Sequence, residues 1–420
     1  MLKKLPPWLI HSGLFCLTVL TTMMVGAELR ANRSFFVPEE EGGLSFSNLS
    51  LGLSYCFAFL LFLTTHEFGH YFTARYNKVK ASLPFYIPIY IPGVLNIGSL
   101  GAVIRLRETP RTTAQYFDIG IAGPLAGFVV AVGILIYGFQ TLPPMEEYVL
   151  PINGDYVEIF GRVPAEAELQ SWIEKGGFFE RLSLTEKAEL LEEEERILPL
   201  AVQDSIARSR FIVPTYKVGN NLLFELLKRT AAQPDRIPSH FDLIHYPWLF
   251  VGYLALFFTA LNLLPIGQLD GGHVMYGLLG RQRAARLATA VVVLLSLVGG
   301  LGLFRYENFL DWSGWLVAGL YGAYLTYVVY RLLKRKSFKK VLPIVALLIL
   351  IQIGLGFLFP KAQPSPIWLL YGFLAVRFIG VEHPPAWREH PLSTGRKVLG
   401  WIAVLIFILC FSFYPVEVVG

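Results

Sequence analysis

Within one long apolar run the chain reads Leu63-Thr64-Thr65-His66-Glu67-Phe68-Gly69-His70. Residues four apart on a helix share a face. The imidazoles of His66 and His70 can therefore grip one Zn²⁺ while Glu67, one step round, reaches a water on the metal as general base. Three ionisable side chains within one membrane-length segment are costly and mark a functional site by default. A catalytic zinc site uses three protein ligands and keeps a fourth position open, so a third ionisable group is needed at similar depth on another apolar run. Asp270 is the candidate, the only carboxylate between Tyr246 and Glu307. It sits in Asn262-Leu263-Leu264-Pro265-Ile266-Gly267-Gln268-Leu269-Asp270-Gly271-Gly272-His273, at the same end of its run as His70 is of its own. Pro265 interrupts helical hydrogen bonding and Gly271-Gly272 allow close backbone approach, so this segment can bring Asp270 to a metal and expose carbonyls to a substrate. Taken alone, its first reading is a proline-kinked span ending in an Asp-Gly-Gly turn; it is the pairing with the His66 helix that points to a metal.

The elements that must carry these residues follow from composition. Of 420 residues, 54% are apolar and only 16% charged, with a mean hydropathy of +0.51. That excludes a disordered chain, a fibrous repeat or an ordinary cytosolic enzyme. Apolar runs long enough to cross a bilayer fall near 9–27, 49–72, 117–140, 247–266, 287–304, 312–330, 341–359, 367–379 and 398–414. The expected fold is an all-α polytopic bundle of eight to nine spans. Cys16, Cys56 and Cys410 all lie in apolar runs and read as small hydrophobes, leaving His and carboxylates to build any metal site.

Basic clusters set the orientation. Lys3 and Lys4, Arg75 to Lys80, Arg105 to Arg111, Arg281 to Arg286 and Arg331 to Lys340 all fall on the cytoplasmic side if the N-terminus starts there. The same clusters explain the basic excess without nucleic-acid binding. Lys80 and Arg105 then share a side, so the intervening stretch is no full span. With three prolines and many aromatic and β-branched residues, it is expected to be a re-entrant, β-like hairpin near 83–104. Such backbone survives at membrane depth only when buried in protein or lining a wet cavity. Asn96 and Asp118 are candidate polar linings of that cavity.

Between Thr141 and Tyr246 there are 11 Lys/Arg and 18 Asp/Glu, a net of −7, against 25 and 13, a net of +12, elsewhere. This acidic insertion is expected outside the cytoplasm. Its middle, about 164–210 with Glu192-Glu193-Glu194-Glu195, is expected to be helical with a solvated charged face. The first run resembles a signal peptide, with Val25-Gly26-Ala27 at its end, but its length favours an uncleaved anchor. The organisation is then an anchor and loop (1–48), a first core segment (49–140), the insertion (141–246), a second core segment (247–280) and C-terminal spans (281–420).

A membrane-embedded His-Glu-x-x-His together with Asn-x-x-Pro-x-x-x-x-Asp-Gly-Gly on a later span resembles the site-2 protease family of intramembrane zinc metalloproteases. The resemblance covers roughly 49–140 and 247–280, including Phe117-Asp118-Ile119-Gly120-Ile121-Ala122-Gly123-Pro124-Leu125-Ala126-Gly127, similar to the small-residue Gly-Pro helix beside the family's catalytic core. It implies one Zn²⁺ per chain held by His66, His70 and Asp270, Glu67 as catalytic base, and Asn262 and Pro265 at the substrate site. It implies a transmembrane protein substrate cut in or near its span, as in regulated intramembrane proteolysis. The implied setting is a bacterial cytoplasmic (inner) membrane with the active site near the cytoplasmic face. Many bacterial members carry PDZ domains where this chain has its insertion, which lacks a glycine-containing carboxylate-binding loop.

Other residues are weaker candidates. His273 could add a fourth ligand or a supporting donor, or simply be polar at the membrane boundary. His383-Pro384-Pro385 with His390-Pro391 resembles a loose metal box but reads as ordinary loop. Two rival functions are a metal-ion or proton transporter and a non-catalytic scaffold of the same fold. A transporter needs no glutamate beside His66, and an idle scaffold would be expected to have lost Glu67.

Overall fold

The computed structural model describes residues 6–91, 97–153, 155–174, 215–231, 233–305, 309–310, 312–334, 337–360 and 362–419. It is mostly helical. The long helices are α1 (Pro7–Ala31), α2 (Leu53–Tyr76), α3 (Thr113–Gln140), α4 (Pro247–Asn262), α5 (Asp270–Leu279), α6 (Arg281–Gly299), α7 (Trp312–Leu332), α8 (Phe338–Leu358), α9 (Pro366–Leu374) and α10 (Thr394–Cys410). Four short strands form two antiparallel pairs: β1 (Phe85–Pro88) with β2 (Ser99–Val103), and β3 (Thr215–Val218) with β4 (Val416–Val419).

Among the described residues, five helical stretches are long and apolar enough to cross a membrane: α1, a Phe46–Tyr76 stretch ending in α2, α3, α6 and α8. This is fewer than the eight to nine expected, for identifiable reasons. The run 247–266 ends as helix at Asn262, and α9 is short and passes into a π-helical turn at Ala375–Ile379. α7 is long enough but carries Tyr321, Tyr324, Tyr327 and Tyr330, which a hydropathy scale counts as polar. Two of these spend their hydroxyls inside the fold. Tyr321 donates to the Ser296 carbonyl at 3.0 Å, and the Tyr324 hydroxyl pairs with Ser296 Oγ at 3.0 Å. Satisfying polar groups internally is what a lipid setting requires of such residues.

The chain groups into two compact units, residues 1–108, 125–259 and 408–420 in one, 109–124 and 260–407 in the other. In the first, α1 holds the β1–β2 hairpin. His11 Nδ1 donates to the Pro84 carbonyl at 3.0 Å and Thr21 Oγ1 to the Gly98 carbonyl at 2.7 Å, while Phe15 meets Tyr86 edge-on. The strand register runs Phe85 to Val103 and Tyr86 to Ala102, with an irregularity before Pro88, whose ring removes a donor. The strand character expected of this stretch is therefore present. Its tip, with Asn96, lies outside the described residues.

The insertion departs from the expected all-helical module. Helices at Met145–Val149, Asp155–Phe160 and Glu166–Glu174 are followed, after residues outside the description that include Glu192 to Glu195, by β3 and a helix at Leu222–Arg229. β3 pairs with β4 at the far end of the chain, Thr215 opposite Val419 and Val218 opposite Val416. The base of the insertion is pinned by Asp242, 1% exposed, which accepts from Asn153 Nδ2 (3.0 Å), Tyr156 Oη (3.1 Å) and Ser239 Oγ (2.6 Å). His245 Nδ1 donates to the Leu29 carbonyl of α1 at 2.6 Å, and the Arg30 guanidinium lies 3.8 Å over the Tyr148 ring.

In the second unit, α7 and α8 bury Tyr321, Leu325, Val329, Val341, Val345 and Leu348 against each other, and α6 packs on α9. Asp118 near the start of α3 takes a two-pronged ion pair from Arg396 at the start of α10, at 2.7 and 2.8 Å. This gives Asp118 a structural partner.

Charge-assisted hydrogen bonds contribute about 1.5–3 kcal/mol each when buried. Asp242→Ala, which strands three donors, is expected to loosen residues 145–174 and 233–246 selectively. Hydrogen exchange by mass spectrometry should show faster exchange there, with protection of 53–76 unchanged.

Candidate metal centre

α2 sets the geometry of the His-Glu-x-x-His segment. Its residues Leu53 to Tyr76 contain no proline, so the ladder is continuous, and His66, Glu67 and His70 are 4%, 6% and 7% exposed. One helical turn separates the imidazoles. Their Nε2 atoms converge to 3.1 Å, with ring planes at 76°. Both rings are thus turned toward one point, as two ligands of one ion must be. Phe62, one turn earlier, lies 6.2 Å from His66 and closes the apolar side. The hairpin is tied to the same helix: the Thr64 and Tyr86 hydroxyls are 2.9 Å apart, and Tyr55 Oη donates to the Ile97 carbonyl at 3.1 Å.

The Asp270 segment is built differently. α4 stops at Asn262, and residues 263–269 form tight turns, with Ile266 N–H donating to Leu264 O at 2.7 Å and Leu269 N–H to Ile266 O at 3.0 Å. Pro265, half-buried, stands in these turns and Asn262 at the end of α4, also half-buried. α5 then begins at Asp270, which places its carboxylate in a helical first turn, where the backbone dipole favours negative charge. The turn carbonyls fold back over this helix start. A Cβ on Gly271 would lie 2.0 Å from Leu263 O, and one on Gly272 2.3 Å from Gly267 O. The Asp-Gly-Gly sequence is therefore a steric demand of the turns above it.

Of the three residues singled out for a metal from their types and spacing, the two histidines of α2 converge at Nε2, and Asp270 opens α5.

Two groups of residues escaped the sequence reading. Gly120 and Gly127 lie two turns apart on α3. A Cβ on Gly120 would meet His273 Cβ at 2.5 Å, and one on Gly127 would meet His66 Nδ1 at 3.2 Å. The Gly-Pro character of 117–127 was the visible signal. His273 and His383, each readable as incidental, are instead paired, Nδ1 to Nε2 at 2.6 Å. Nothing local announces a contact across 110 residues. His390 is exposed.

Residues 54–303 match the family model of peptidase family M50. Among curated proteins, the chain is 24% identical over 302 residues to the probable zinc metalloprotease EGY1, chloroplastic, of Arabidopsis thaliana, covering 68% of this chain and 43% of that protein. It is 25% identical to EGY2 of the same plant, covering 60% and 34%, and 26% identical to EGY1 of Oryza sativa subsp. japonica, covering 59% and 31%. The chain spans less than half the length of these relatives. No solved structure matches it. With more than half of its residues matched, including both the His66 helix and the Asp270 segment, the chain belongs to peptidase family M50.

Proposed function

We propose that this chain is an intramembrane zinc metalloprotease of the site-2 protease type, in which His66, His70 and Asp270 hold one Zn²⁺ and Glu67 is the catalytic base. The observation that carries the reading is the convergence of the two histidine Nε2 atoms to 3.1 Å on a buried helix, with Glu67 beside them. Two tetrahedral ligands at the usual zinc–nitrogen distance stand about 3.3 Å apart. Two imidazoles and a carboxylate are also a donor set known from catalytic zinc sites, with the fourth position left for water. Gly127 supports the fit, because any side chain there would press on the His66 ring.

A zinc ion held there would act as Lewis acid, lowering the pKa of its water and polarising the scissile carbonyl. The remaining steps belong to the chain. Glu67, next to His66 on the same helix, takes the proton from the attacking water and passes it to the leaving amine. Burial keeps that carboxylate among few competing waters. A substrate helix hides its amides in its own hydrogen bonds and must unwind to be cut. The β1–β2 hairpin offers an edge for the unwound segment, to which an extended chain can add by main-chain hydrogen bonds. β2 is the less covered by α1, and Leu100 and Val103 on it are exposed. Asn262 and Pro265, at the end of α4 and in the turns before Asp270, would line the path of the scissile segment.

The substrate class we propose is a transmembrane protein cut in or near a membrane-spanning segment, as in regulated intramembrane proteolysis. The hairpin would be re-entrant from the face that bears the basic clusters, and the nine apolar runs would all cross. Chloroplastic relatives lend no support to the bacterial inner membrane expected from the sequence. The proposal therefore specifies the face, that of Arg75 to Lys80 and Arg105 to Arg111. A transporter reading is not favoured, since it gives no use to Glu67.

Purified full-length chain in proteoliposomes should cleave a reference transmembrane substrate. Glu67→Gln should lose activity by about 10²–10⁴-fold while retaining zinc. Equal cutting by the variant, or wild-type cutting that survives chelation, would sink the mechanism. Gly127→Val should lower zinc affinity by about tenfold or more, measured by competition with a chelator. Gly133→Val, where a Cβ meets nothing within 4 Å, should leave it unchanged. A cysteine-accessibility scan should find residues 145–174 on the opposite side from Arg75 to Lys80.

A further inference from the structure

Asp270 begins a helix of only ten residues that follows seven residues of turn. A short helix entered through turns has little of its own to fix its rotation. The direction of Asp270 is therefore set by whatever α5 rests on.

Besides α6 and the Tyr116 and Gly120 face of α3, that support is a loop 110 residues later. α9 ends in a π-helical turn at Ala375–Ile379, a type often placed where a backbone must be re-aimed, and Gly380 follows with φ +84°. The loop then docks on the turns before Asp270. Gly267 N–H donates to the Val381 carbonyl at 3.1 Å, and a Cβ on Gly267, itself at φ +48°, would lie 1.7 Å from Gly380 O. Next, His383 engages α5. His383 Nδ1 lies 2.5 Å from the Pro384 carbonyl. A carbonyl only accepts, so that nitrogen carries the proton and Nε2 offers a lone pair. His273 Nδ1–H must then donate to His383 Nε2, at 2.6 Å. Burial favours the neutral ring of His383, pushing its pKa down to about 4. The tautomer of His273 is thereby set from outside its own helix.

The aromatic packing around this pair is equally specific. The Tyr276 ring stacks on His383 at 4.1 Å and 12°, and Tyr116 of α3 stacks on His273 at 5.4 Å and 26°. Tyr276 Oη donates to Glu389 at 2.6 Å and accepts from Ala386 N–H at 2.9 Å. His273 lies three residues after Asp270, on the same face of α5.

We propose that His383 is a positioning residue for Asp270: through its hydrogen bond to His273 it fixes the rotation of α5 and with it the direction of the Asp270 carboxylate. The inference rests on Asp270 as third zinc ligand. It assigns a role in the metal site to a loop that lies beyond the residues matched to the family. The bonded chain from the Pro384 carbonyl through two imidazoles does for the ligand helix what a supporting carboxylate does for a metal-bound histidine.

The test uses full-length protein, with zinc affinity read by chelator competition and the ligand field read from the visible spectrum of the cobalt-substituted chain. His383→Ala is expected to weaken zinc binding by about 10–100-fold and to alter the cobalt bands. His383→Gln, whose amide oxygen can accept from His273 Nδ1–H, is expected to restore both. Asp270→Ala is the reference. If it binds zinc as wild type, the ligand assignment itself fails, and this inference with it. If Asp270→Ala loses zinc but His383→Ala does not, the ligand stands and the positioning role is overturned. Equal weakening by His383→Ala and His383→Gln also overturns it, because the hydrogen bond is then not the agent. Should His383→Ala fail to fold by size exclusion and thermal unfolding, Tyr276→Phe decides. It keeps the ring on His383 and removes the bonds to Glu389 and Ala386, so a smaller loss of affinity upholds the role and an unchanged affinity refutes it.

Discussion

The fold of carbonyl groups over the start of α5 is the constraint from which much else follows. Backbone that leaves the helix in an apolar setting must find partners within the protein. Residues 263–267 turn their carbonyls onto the first turn of the next helix, so closely that positions 271 and 272 admit no side chain. Asp270 is delivered to a fixed place at a helix N-terminus as a result. Pro265, the turns, the two glycines and the carboxylate are one device.

α3 is shaped by the same close tolerances. Gly127 stands against His66 and Gly120 against His273, on one face of one helix. Small residues in membrane helices usually let backbones approach. Here they leave room for two imidazoles. Larger side chains at either position would displace rings whose directions matter more than their contact areas.

Much of this was legible from residue types, and the limits of legibility are physical. His66, Glu67 and His70 announce themselves because a helical turn is a local event and ionisable groups are rare in apolar runs. The β1–β2 hairpin is visible because three prolines forbid a helix and β-branched residues favour strands. α7 falls short on a hydropathy measure because that scale counts its four tyrosines as polar, although Tyr321 and Tyr324 satisfy their hydroxyls internally. The His273–His383 pair and the β3–β4 sheet escape for a different reason. Both join segments 110 and about 200 residues apart, and neither segment has a periodicity that points at the other.

The pairing of β3 with β4 has a consequence for the whole chain. Two hydrogen-bonded strands lie on one side of any membrane the protein spans, so the polypeptide between Val218 and Val416 crosses that membrane an even number of times. The sheet therefore acts as a parity check on insertion. If one helix between α4 and α10 failed to cross, Val416–Val419 would emerge in the wrong compartment, and β3 would be left with an open edge. The position of β4 thus reports whether the crossings after the insertion came out even in number.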